Sequence, residues 1–319
     1  MSIRSSDAIS VARVICIIFM SYVHLHFAEI PDNNLRFFRE VIADTLGRSS
    51  VPLLSIISGY LMVGFFAKRT FANAVGQRAR TLIVPMLIWN SAAILLWGWD
   101  GINDLIPITE NSKLIYLTFL RDIFVMSAIT PVLAWLARNN LSVLISSALL
   151  IYLIDFSTVF ILRPQILFFY SIGVIIAIYP IKLADSWKVF SICALIAMSV
   201  SSVIWPSMND SHLFDAILKR PIASLGFWAI SITLAKNLPS LARLDIYAFP
   251  FFLCHGIIFN VFGSQYYHSG ILQYPSIYLW LWLITPPLCF LIVSLTWPSA
   301  RRVKGFINRI RMHHQAPPL

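Results

Sequence analysis

The residues best suited to chemistry lie in the first apolar stretch, Asp7 to Ala28, which carries Arg13, His24 and His26 among residues fit for lipid. Arg13 and His24 are eleven positions apart. At about 100° per residue the two share one face of a helix, separated by about 16 Å along its axis. His26 is about 200° from His24 and points elsewhere. An arginine inside a spanning helix costs at least ~2.5 kcal/mol and marks a functional site by default. The competing explanation is that Arg13 snorkels to the headgroups and His24 is an interfacial histidine, but the shared face weighs against it. Histidine is the usual general base near neutral pH. Arginine is the usual binder of phosphate and carboxylate. A base beside an anion clamp suits group transfer to a hydroxyl. It equally suits proton-coupled transport of an anion, and residue chemistry alone leaves both open.

Other polar features sit at membrane depth. Arg48-Ser49-Ser50-Val51-Pro52 opens one apolar stretch, and Ser58-Gly59-Tyr60 follows in it. Proline and glycine there predict a broken helix lining a cavity, or a closely packed one. Arg121-Asp122 is an adjacent charge pair, expected to find partners on other helices because neighbours face different ways. Asp155 is expected inside the fifth span. His255 follows Pro250 and Cys254; adjacency argues against a Cys/His nucleophile pair.

These residues need a scaffold that holds charge within lipid. The chain of 319 residues is 58% hydrophobic and 12% charged, with mean hydropathy +0.78, which predicts an all-α polytopic membrane protein. About ten spans are expected, near 8–28, 48–66, 81–98, 115–136, 141–161, 164–180, 187–205, 218–236, 246–264 and 276–297. With the N-terminus inside, fifteen Lys and Arg fall on the cytoplasmic side against seven outside. That imbalance predicts both termini in the cytoplasm. The net charge of +10 therefore reads as membrane orientation and contact with lipid, not nucleic-acid binding. Residues 1–298 form the integral domain and 299–319 a basic cytoplasmic tail. The outer loop from Glu29 to Gly47 is expected to hold a short helix. Lys68 to Arg80 reads as an amphipathic surface helix, with Phe66, Phe71 and Val75 toward lipid. The four cysteines sit in apolar segments and read as buried free thiols, and the scattered histidines give no metal set. Arg13 interrupts the first apolar region, so that segment reads as a retained anchor.

These motifs, in order, resemble the membrane-bound acyltransferase-3 family, which O-acylates bacterial surface polysaccharides and related glycans. Its R-x10-H signature appears as Arg13 and His24. Its segment ending in Ser-Gly-Tyr appears as Val51-Pro-Leu-Leu-Ser-Ile-Ile-Ser-Gly-Tyr60. A third element resembles Phe119-Leu-Arg121 with Thr130-Pro131, and a fourth resembles Phe249 to His255. The resemblance covers about Asp7 to Pro298. The family's R-x-x-R pair is replaced by Arg78-Ala79-Arg80, and Thr118 stands where tryptophan is usual. The soluble domain that some members append is not seen, so the integral unit is expected to act alone.

The resemblance implies acetyl transfer from cytoplasmic acetyl-CoA, a donor substrate and not a bound cofactor, to a sugar hydroxyl of a surface polysaccharide or lipid-linked glycan at the bacterial inner membrane. His24 would act as general base or transient acyl carrier. Arg13 would bind the donor's phosphate or pantetheine end. Arg78, Arg80 and Arg69 would attract nucleotide phosphates. Arg121, His255, Asp122, Tyr60 and Arg48 would line the cavity, with Ser58 donating to the developing oxyanion. The alternative is a multi-span transporter or flippase of a glycan or acyl intermediate, without transfer chemistry.

Overall fold

The computed structural model describes residues 5–25, 37–180, 186–205, 214–268 and 275–313. His26 and the first part of the loop expected from Glu29, residues 29–36, lie outside them. Side chains beyond Trp297 and between 262 and 268 are likewise not described. The described residues are helical, without strands. Ten helices organise them: α1 (Ser5–Val23), α2 (Arg39–Phe66), α3 (Phe71–Trp97), α4 (Ile115–Asn139), α5 (Leu141–Leu153), α6 (Pro164–Ile178), α7 (Trp187–Ile204), α8 (Ile217–Asn237), α9 (Asp245–His268) and α10 (Pro275–His313). Eight are long and apolar enough to cross a membrane; α5 and α6 are shorter apolar helices where the fifth and sixth spans are expected. The chain is a multi-pass membrane protein, and its exterior agrees. Leu95, Phe190 and Leu295 are 87%, 76% and 69% exposed, which water would penalise and lipid would not.

Several boundaries differ from expectation. α2 is one 28-residue helix whose first nine residues, Arg39–Gly47, wind as π-helix, so the expected loop helix is the start of the span itself. Pro52 lies within α2 without ending it. Of the stretch expected as a surface helix, residues 71–80 are helical and run without a break into the third span as the first part of α3, after a turn at 67–70. α5 stops at Leu153, and Asp155 is exposed beyond it at φ 49°, not inside a span. α10 continues through Pro298 to His313. Cys193 is exposed on α7, whereas Cys16 and Cys289 are buried as expected, and all four thiols are free.

The bundle closes around α1, which packs against α2, α8 and α9 and touches α10. Its Val11, Ala12 and Cys16 are almost wholly buried. α2 and α6 form an exceptionally close pair. A Cβ added to Gly59 would lie 2.2 Å from the Tyr170 carbonyl oxygen, and one added to Gly173 would lie 2.0 Å from that of Ile56. Lipid tails are as apolar as leucine, so helices in a bilayer gain by backbone contact of this kind, and only glycine permits it. Of the two readings of Ser58-Gly59-Tyr60, close packing is the one observed.

Candidate active site

α1 and α9 run side by side in the same direction and touch at two polar points. At the N-terminal end Arg13 Nη1 donates to Asp245 Oδ2 at 3.0 Å, and Ser10, one turn earlier, donates to the same oxygen at 3.2 Å. The second carboxylate oxygen of Asp245 is buried without a partner among the described residues. At the C-terminal end the rings of His24 and His255 lie 5.5 Å apart, centroid to centroid. The separations along the two helices, eleven residues and ten, correspond to about 16 and 15 Å of rise, so the two contacts keep one register. The face shared by Arg13 and His24 is therefore the face that meets α9.

The histidines differ in setting. His24 is half-buried, one residue past the last turn of α1, where its N–H donates to the Ser21 carbonyl at 3.1 Å. His255 is fully buried among Phe251, Phe252, Phe259 and Tyr116. Its Nδ1 lies 2.8 Å from the Phe252 carbonyl oxygen. A carbonyl only accepts, so Nδ1 carries the proton, and in the neutral ring Nε2 keeps its lone pair. That Nε2 has no partner among the described residues. The neighbouring Cys254 sulfur turns back toward the Phe251 carbonyl, so the two residues diverge as adjacency predicts.

The opposite end of the bundle carries a cationic cleft of about 370 Å³, lined by Leu61, Gly64, Phe65, Lys68, Arg69 and Arg78. The Arg69 guanidinium lies 4.1 Å over the Phe65 ring, and that of Arg78 lies 5.2 Å from it. Arg78 is further held by Nε and Nη2 hydrogen bonds to the Met62 sulfur. Arg80 is exposed and does not line the cleft; Lys68, two residues past the end of α2, takes the third cationic place. With one residue between them, Arg78 and Arg80 project about 200° apart on a helix, so both do not face one cleft.

The remaining predicted residues find their contacts locally. Ser58 donates to the Leu54 carbonyl of its own helix, and Tyr60 is 40% exposed, on the surface and not in an interior cavity. Arg48 pairs with Asp44 one turn back. Arg121 and Asp122 pair with each other at 2.7 Å, contrary to the expectation of separate partners, and Arg121 also donates to the Phe160 carbonyl in the loop before α6. Side chains at adjacent helical positions reach each other when one is as long as arginine. Two residues carry weight that sequence reasoning did not assign them. Asp245 was visible as a carboxylate at the start of the ninth span, where an arginine within a spanning helix needs a counter-charge. Tyr116 gave no signal, because its role depends on a contact with α9.

Comparison with known proteins follows the same lines. Residues 6–301 match the acyltransferase-3 family model, described as an acyltransferase domain. The succinoglycan biosynthesis protein ExoH of Rhizobium meliloti is 26% identical over 274 residues, covering 76% of this chain and 74% of its own. Nodulation protein NolL matches over shorter segments: 43% identity over 47 residues in Mesorhizobium japonicum, covering 15% of this chain and 12% of that protein, and 36% over 75 residues in Sinorhizobium fredii, covering 24% and 20%. No solved structure matches the chain significantly.

Proposed function

The chain belongs to the acyltransferase-3 family, and from that premise we propose that it O-acetylates a sugar hydroxyl of a surface polysaccharide or lipid-linked glycan, drawing the acetyl group from cytoplasmic acetyl-CoA. The observation that carries this reading is the α1–α9 seam, which puts a second imidazole beside His24 at one end of the path and an arginine–carboxylate pair at the other. A named relative in succinoglycan biosynthesis supports a polysaccharide acceptor.

In this reading α5 and α6 also cross, giving ten spans with both termini in the cytoplasm, residues 299–319 forming a basic cytoplasmic tail, and the whole lying in the bacterial inner membrane. The cationic cleft then opens to the cytoplasm and His24 lies toward the outer face. Lys68, Arg69 and Arg78 hold the donor's nucleotide phosphates. The Arg13–Asp245 pair stands about 16 Å of helix short of His24, a span suited to an extended pantetheine arm. At the far end the acceptor hydroxyl oxygen attacks the thioester carbonyl carbon. The new C–O bond forms, the C–S bond breaks, and the hydroxyl proton passes to an imidazole nitrogen of His24. That proton then goes to the departing thiolate, so a free thiol leaves. His255 Nε2, a buried lone pair, is placed to accept a hydrogen bond from the acceptor or from His24. The match to an acyltransferase family weighs against pure transport.

The deciding experiment is acetyl-CoA consumption by the purified protein in liposomes supplied with cell-envelope glycan, with and without His24→Ala. Turnover that disappears with His24 is expected. Undiminished turnover by His24→Ala would overturn the base assignment, and no turnover by the native protein would return the weight to transport.

A further inference from the structure

We propose that Tyr116 is the positioning residue for His24, and that Gly256 exists to admit it. The inference rests on the reading of His24 as the base. His24 lies past the end of α1, so helical geometry does not fix its ring. Tyr116 lies in the 3-10 turn Ile115–Leu117 that opens α4, and only 3% of it is exposed. Its ring stands 5.4 Å from that of His24 and 4.1 Å from that of His255, so it touches both imidazoles. Three contacts fix the tyrosine itself. Its hydroxyl donates to the Leu253 carbonyl of α9 at 3.0 Å. Its ring meets Phe252 edge-on at 5.7 Å. From the other side, Arg163 donates to the carbonyl of the preceding residue, Ile115, at 2.6 Å and to Asn111 at 3.1 Å.

Gly256 is the sequence feature that makes room. A Cβ there would lie 2.1 Å from Cε1 of Tyr116, 2.8 Å from Cζ and 2.9 Å from the hydroxyl oxygen. A glycine inside a helix costs about 1 kcal/mol relative to alanine, so its place next to His255 calls for a reason. The reason is the tyrosine ring packed against the α9 backbone, which ties α4 to α9 and holds the ring, tilted, 5.4 Å from that of His24. A base must be held within fractions of an ångström, and a misplacement of about 1 Å can cost a hundredfold in rate.

The test uses the full chain in liposomes, with two readouts. The first is the separation of kcat from the acetyl-CoA KM. Gly256→Ala is expected to lower kcat about a hundredfold with the donor KM unchanged, since the donor cleft lies at the other end. Tyr116→Phe, which keeps the ring and loses one hydrogen bond, should lower kcat about two- to tenfold. In a Tyr116→Leu background, where the ring is gone, Gly256→Ala should cost nothing further. The second readout is the rate at which diethyl pyrocarbonate modifies His24, followed by peptide mass, which should change in Gly256→Ala and needs no turnover. Native kcat and native His24 labelling in Gly256→Ala would overturn the proposal, as would additive losses in the double variant. Altered labelling in a protein whose native form does not consume acetyl-CoA would sustain the positioning role and overturn the acyl-transfer reading instead.

Discussion

Arg13 on the first long helix and Asp245 on the ninth form an ion pair at 3.0 Å, in register with the contact between His24 and His255 further along the same two helices. The pair is part-buried, with Arg13 keeping 37% of its side chain accessible. An arginine so placed is both anchored and open to an incoming anion. Asp245→Ala and Arg13→Ala should each lower kcat/KM, and the double variant should be little worse than the poorer single one. That non-additivity, at least ~1 kcal/mol in a double-mutant cycle, is the mark of residues acting as a unit. Fully additive losses would show that the two act separately. Arg13→Lys keeps the charge but not the planar fork, so it should remain impaired.

The donor cleft makes a prediction about binding and not chemistry. Arg69→Glu and Lys68→Glu should raise the acetyl-CoA KM about tenfold or more while leaving kcat within about twofold, because charge at the entrance acts on encounter and ground-state binding. Arg80→Gln, outside the cleft lining, should do much less. Raising salt should raise the native KM and flatten the difference, since exposed charges are screened within about 10 Å at 0.1 M. Equal effects of Arg69 and Arg80 substitutions would remove the cleft from the mechanism.

The glycines at the α2–α6 crossing should matter for folding. Gly59→Ala or Gly173→Ala puts a methyl group against backbone atoms that cannot rotate away, so the helices must part. A loss of about 1–3 kcal/mol is expected, read as a lower unfolding temperature in detergent. Gly64→Ala, whose Cβ would meet nothing within 4 Å, is the matched control and should be neutral or slightly stabilising. Unchanged stability in both crossing variants would show that the contact is looser than drawn.

The buried pair at Arg121 and Asp122 should behave asymmetrically. Asp122 has a side chain only 1% exposed, and Arg121 11%. Asp122→Ala leaves a guanidinium without its counter-charge and should cost about 3–5 kcal/mol of stability. Replacing both by Leu and Met, of similar bulk, should cost much less, because the isolated charge is the expensive species. A double replacement as unstable as Asp122→Ala would imply that the pair itself, through the Phe160 carbonyl, holds the loop before α6.

How much of this was legible in the sequence depended on the range of the interaction. Apolar stretches long enough to span lipid announce helices, because a backbone in lipid must bond to itself, and the ten expected stretches each became a helix. Their ends were less legible. Asp155 fell outside α5 and the turn at 67–70 came before α3 began, since helix ends answer to neighbours as much as to composition. The face shared by Arg13 and His24 follows from helical spacing alone and needed no partner to be seen. What that face meets did not follow. Asp245 lies 232 positions from Arg13 and Tyr116 lies 137 from Leu253, and no periodicity links such distances. Ser58-Gly59-Tyr60 reads equally as a cavity wall or a packing seam until α6 is laid against it, because small residues serve both. Spacing along one helix is set by local geometry and is written in the chain; the pairing of faces is set by which helices pack together, and only the folded bundle decides it.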